Sequence, residues 1–158
     1  VDAALLAQAL EGSALGTWMR GAWGYPLVNV LHLAGLVLLV GPILLLDLRL
    51  LGAGRAFDAS AVSRVLTPLA VAGLALLLTT GVMLFAADAS ALLQNRVMQL
   101  KALAVALAVA NALWFRLAFA RYLPRWDRDA PGLARASATC SIMLWTAVFV
   151  AGRMIAYV

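Results

Sequence analysis

Residues 26–51 read PLVNVLHLAGLVLLVGPILLLDLRLL, and positions 26 to 46 hold no Asp, Glu, Lys or Arg. A helix rising 1.5 Å per residue crosses a hydrocarbon core of about 30 Å with about 20 apolar residues, so this run is a spanning helix. Pro26 suits its start, where a missing N–H costs nothing, and Gly52 and Gly54 lie where it should stop. Gly41-Pro42 falls mid-run and predicts a kink.

Working outward, three more segments meet the same test, at 62–86, 97–121 and 134–157. Asp58-Ala59-Ser60 and Gln94-Asn95-Arg96 are start signals for the second and third, and Pro131-Gly132 precedes the fourth. Short connectors make neighbouring helices antiparallel. The expected fold is all-α, an integral membrane four-helix bundle, with 25–158 as one domain. Residues 1–24 form a separate interfacial segment. There Leu5, Leu6, Ala9 and Leu10 share a face, so 2–18 reads as one amphipathic helix on the membrane surface. Asp2 and Glu11 flank its apolar part, unlike a basic secretory leader. Trp18, Trp23 and Tyr25 form an aromatic belt before the first span.

Composition agrees. The chain of 158 residues is 65% hydrophobic and 12% charged, with a mean hydropathy of +0.98, which excludes an ordinary soluble domain and a disordered tail. Its net charge of +5 is spread singly rather than in a patch, which argues against a nucleic-acid partner. The bases report topology instead. Arg49, Arg55, Arg64, Arg116, Arg121, Arg125, Arg128 and Arg135 fall at the first and third connectors, whereas Arg20, Arg96, Lys101 and Arg153 fall on the other side. This imbalance places both termini outside the cytoplasm. A lone Cys140 inside a span precludes an intrachain disulfide.

Polar groups within spans are costly, so each is a candidate. His32, the only histidine, is near the outer end of the first span with Asn29 three residues before it, and a helical wheel puts Asp47 on the same side. Lys101, Arg153, Thr79 and Thr80 should share the depth of His32, so all four helices are expected to build one outer-leaflet cluster. Its positive charge suits haem propionates, a quinone carbonyl or a lipid phosphate. In the plainer reading, Lys101 and Arg153 snorkel to the interface and His32 bonds Asn29 or a threonine across the bundle. At the inner end Asp47, Arg49 and Arg116 are expected to form an ion pair. Asn111 and the Ser137, Ser141, Trp145 stripe are expected to join helices. Ala102, Ala106 and Ala110, with Ala104, Ala108 and Ala112, make the third helix small on two faces and predict a central position. One histidine and one cysteine cannot build a zinc site, but a haem needs only one or two axial ligands.

Tyr25-Pro26 with Leu31-His32, Gly41 followed by Asp47-Leu48-Arg49-Leu50-Leu51-Gly52, Thr80-Gly81 with Leu84-Phe85, Lys101 with Asn111, and Leu144-Trp145 with Gly152-Arg153 together resemble a family of small bacterial four-span membrane proteins of unassigned activity. The likeness runs from Trp18 onward and implies a bacterial inner-membrane protein. His32 and Lys101 are also similar to the early-span histidine and later lysine of small haem- or copper-associated membrane bundles, among them membrane protoporphyrinogen oxidase and the membrane domain of copper-resistance proteins. The chain departs from them in having no second histidine, so haem would be singly ligated or shared between protomers.

The expected function is a membrane redox module binding haem b or quinone through His32, Asn29, Lys101, Arg153 and Thr80, with His32 as the ligand of any haem iron. The alternatives are a non-catalytic assembly or binding subunit, working as a homo-oligomer or with a membrane-complex partner, and a small transporter. Transporters usually show repeats with matched discontinuous helices, and only the first span looks interrupted here.

Overall fold

A computed structural model describes residues 2–157, with the Ala156 side chain outside the description. The described chain is helical with no strands. In order come α1 (Ala3–Gly12), α2 (Ala14–Met19), α3 (Gly24–Leu50), α4 (Ala59–Ala87), α5 (Ala89–Gln94), α6 (Arg96–Ala118), a 3-10 turn (Ala120–Arg125), α7 (Trp126–Asp129), α8 (Gly132–Met154) and a 3-10 turn (Ile155–Tyr157). Helices α3, α4, α6 and α8 are long and apolar enough to cross a membrane.

The caps read from sequence close the helix starts. Asp58 accepts from the Ala61 N–H at 2.8 Å, and Asn95 accepts from Met98 at 3.0 Å, each satisfying an otherwise unpaired donor. Helix α3 continues through Pro42, and α4 also carries an internal proline, Pro68, so the first span is not alone in having one. The α3–α4 connection turns at Gly52 (φ +112°) and Gly54 (φ +60°), in the region that favours glycine.

Helix α3 packs most extensively on α4, and α8 on α6, while α3 also meets α8. A Cβ on Gly73 of α4 would lie 2.5 Å from the Leu39 nitrogen of α3, so the two backbones approach as small residues permit. The expectation of a central third helix fails. Only Ala108 of α6 is buried, and Ala102, Ala106, Ala110 and Ala112 are exposed. Small residues permit close approach on any face, including one that no neighbour in the chain covers.

A mid-bundle core joins Leu39, Ala70, Ala108, Trp145 and Val148 from all four long helices. A second core gathers Leu50, Ala59, Phe119, Leu123, Trp126, Ala134 and Ala138 at the end carrying the α3–α4 and α6–α8 connections, called here the Arg49 end. Trp126 donates from Nε1 to the Leu50 carbonyl at 2.8 Å, satisfying a helix-terminal acceptor. Buried Arg49 donates to the Phe57 carbonyl at 2.6 Å and forks onto both Asp127 oxygens at 3.1 and 2.7 Å. The two connections are thereby clamped together. The Arg49 guanidinium holds the Asp127 carboxyl below the usual carboxylate range.

The N-terminal segment is two helices rather than one. Ser13 ends α1 and caps α2, donating to the Leu10 carbonyl and accepting from the Gly16 N–H, an alternative to continuous helix. It docks on the far end of α4 and on α5. Arg20 donates to the Glu11 and Ala87 carbonyls, Glu11 accepts from the Ser90 N–H, and Met19 is fully buried.

Candidate functional site

The buried stripe of α3 runs through Val28, Gly35, Leu39, Asp47 and Leu50, at alternating helical spacings. Half-buried His32 lies on it, one turn after Val28 and one turn before Gly35. Across the α3–α4 interface its Nδ1 is 2.8 Å from the Oγ1 of buried Thr80. Gly81 leaves room beside the ring: a Cβ there would stand 3.6 Å from His32 Cε1.

The Thr80 hydroxyl also stands 2.6 Å from the Leu76 carbonyl, an acceptor for its single hydrogen. With the hydrogen on that carbonyl, the oxygen accepts from His32, and the Nδ1 of a neutral ring carries the proton and leaves Nε2 the lone pair. This is the arrangement that orients a histidine for a metal, or readies it to accept a proton.

Lys101 reaches the same layer from α6. Its Nζ would lie 3.5 Å from a Cβ on Gly152 of α8, so the ammonium group lies against that glycine. Three of the sequence candidates therefore come together: His32, Thr80 and Lys101.

The other two do not. Asn29 is exposed and makes no hydrogen bond among the described residues, because the interior stripe passes through Val28, one position and 100° away. Arg153 is exposed too. It donates to the Tyr157 hydroxyl, with its guanidinium 4.7 Å over that ring. Thr79 is also exposed and donates to the Ala75 carbonyl of its own helix. The expected four-helix cluster thus reduces to an imidazole held by one threonine, with one ammonium in its layer lying against Gly152 of α8.

The inner ion pair also forms differently from expectation. Arg49 pairs with Asp127, which lies in a connector and which the span-by-span reading passed over. Asp47 is buried beside the Ser141 hydroxyl, and its Oδ2 has no hydrogen-bond partner. Arg116 lines a groove between α4 and the end of α6. Asn111 and Ser137 do join helices, exchanging two hydrogen bonds: Asn111 donates to the Ser137 carbonyl at 3.0 Å and accepts from its hydroxyl at 2.9 Å. Trp145 is buried with its N–H unpartnered, beside a 40 Å³ cavity between α3 and α8.

Among the described residues no group of three or more His, Cys, Asp or Glu is placed to hold a metal. Comparisons with protein-family models, curated proteins and solved structures give no match, so the functional argument rests on this geometry.

Proposed function

We propose that the chain is a small multi-pass membrane redox module that takes haem b or a quinone at the His32 layer. The observation that supports this reading is the 2.8 Å contact between His32 Nδ1 and Thr80 Oγ1, which in the Nδ1–H tautomer turns the Nε2 lone pair to a ligand. Haem needs one axial nitrogen, which Nε2 offers, and anionic propionates suit the Lys101 ammonium. A quinone would instead place a carbonyl on Lys101, and a quinol hydroxyl would donate to Nε2. Either group supplies reversible electron transfer when bound. The protein orients it; Nε2 of His32 would hold the iron of a haem, or would hold and release a proton beside a quinone. The basic residues at the Arg49 end favour a cytoplasmic location for that end, with His32 towards the outside of a bacterial inner membrane.

The test uses full-length protein purified in mild detergent, with a visible spectrum and an organic extract taken from the same sample. A Soret band or an extractable quinone is expected in the wild type and should be absent from His32→Ala. A colourless, quinone-free wild type would sink the proposal, as would His32→Ala retaining the full complement.

The exposed Ala102, Ala106 and Ala110 of α6 favour a second reading, in which this helix docks another copy or a membrane partner. Cross-linking from Ala106→Cys in native membranes should then capture one defined neighbour, and His32→Ala should leave that product unchanged.

A further inference from the structure

At the Arg49 end, α4 and the end of α6 diverge around a groove of about 370 Å³. Two arginines line it, one from each helix. Arg64 is the sixth residue of α4, and Arg116 is third from the end of α6, so both stand within about two turns of a helix terminus. Neither has a salt-bridge partner among the described residues, and no carboxylate lines the groove. Asp58 lies close enough for its carboxylate to feel Arg64, but its Oδ1 accepts from the Ser60 hydroxyl at 2.5 Å and from the Ala61 N–H.

Between the arginines the wall carries hydroxyls. Ser63 is almost fully buried, with its Oγ 3.3 Å from the Thr67 Oγ1, and both residues line the groove. Pro68 and Leu123 supply apolar lining. Two guanidinium groups, hydroxyls and an apolar wall match a phosphate diester attached to hydrocarbon. Basic pockets between spanning helices at a headgroup surface bind anionic lipids on the same physical grounds.

We propose that this groove is a binding site for an anionic phospholipid, whose phosphate lies between Arg64 and Arg116 and whose glycerol and upper acyl chain lie along Pro68 and Leu123. Inorganic phosphate shares the charged chemistry but leaves the apolar wall uncovered, so the lipid is the occupant. The site needs the helices to cross a bilayer. It is independent of haem or quinone binding, which belongs to the opposite end of the bundle.

Purified full-length protein is incubated in phosphatidylcholine micelles doped with phosphatidylglycerol, and the lipid retained after gel filtration is counted by mass spectrometry. Phosphatidylglycerol should be enriched on the wild type. Arg64→Gln and Arg116→Gln should each reduce its retention about fivefold, and the double variant about 25-fold, as expected when each basic group contributes separately. Arg128→Gln, at the same end but outside the groove, should retain the wild-type amount. Equal retention by the double variant and the wild type overturns the proposal, and so does an equal loss in Arg128→Gln, which would mean diffuse surface charge. Displacement of the lipid by millimolar inorganic phosphate assigns the site to a free anion and overturns the lipid assignment. Should the double variant elute abnormally, the single variants decide, each by its fivefold loss.

Discussion

The α3–α4 interface makes Gly73→Ala the most exacting test of the packing. A Cβ at this position would stand 2.5 Å from the Leu39 nitrogen, 2.6 Å from the Leu38 carbonyl carbon and 2.9 Å from the Gly35 oxygen, all of them backbone atoms that no rotamer change can move. Reaching ordinary contact at 3.4 Å requires the helices to separate by roughly 0.9 Å, and a gap of that size forfeits a quarter to a half of the dispersion energy of the atoms that faced each other. Overpacking of this kind costs about 1–3 kcal/mol, against a gain of up to ~1 kcal/mol from the better helix propensity of alanine. We expect a net loss of about 1 kcal/mol. Gly41→Ala is the internal control: its Cβ would meet nothing within 4 Å, so propensity alone should act and stability should hold or rise. Unfolding by SDS in mixed micelles, followed by far-UV circular dichroism, measures both. A Gly73→Ala variant as stable as the wild type, or a Gly41→Ala variant equally damaged, would refute the close approach of these helices.

Two further expectations concern the second pair of helices and the clamp. Asn111→Leu removes both hydrogen bonds between α6 and α8, and should cost about 1–2 kcal/mol while raising amide exchange along α6 more than along α3, as seen by hydrogen–deuterium exchange. Unchanged exchange in α6 would show that apolar packing alone holds it. The Asp127 carboxyl, held by Arg49 below its ordinary value of 3.8, contributes stability that is present above that value and lost as pH falls through the lower folded-state value. The wild type should therefore weaken between neutral pH and pH 3 more steeply than Asp127→Asn, which should start less stable at neutral pH. Parallel pH profiles of the melting temperature would argue against the clamp.

The four long helices were legible because apolar length dominates: spans read at 26–51, 62–86, 97–121 and 134–157 correspond to helices at Gly24–Leu50, Ala59–Ala87, Arg96–Ala118 and Gly132–Met154. Caps at Asp58 and Asn95 were legible from their side-chain chemistry. Lateral order was not. The alanines of α6 recur at helical spacing whether or not a neighbour covers them, and a weak periodic contrast gives no inside. The site was legible in part, since depth alone brought His32, Thr80 and Lys101 to one layer. Asn29 and Arg153 share the depth but not the direction, which depends on helix rotation about its own axis. Asp127 was missed because a connector acid acquires meaning only when a buried arginine such as Arg49 is folded over it. A signal was present: Arg49 near a helix end calls for an anion, and Asp127 and Asp129 lie in a connector assigned to the same side.

The Asn111–Ser137 pairing bears on the order in which the protein can be made. Helices α3 and α4, which pack on each other, come first among the long helices of the chain. Helix α6 emerges next, yet its principal partner is α8, the last long helix to leave the ribosome. Until residue 137 follows, the carboxamide of Asn111 sits in the nascent chain without the groups that later satisfy it. A chain halted before residue 137 therefore lacks the hydroxyl and the carbonyl that Asn111 bonds in the finished fold.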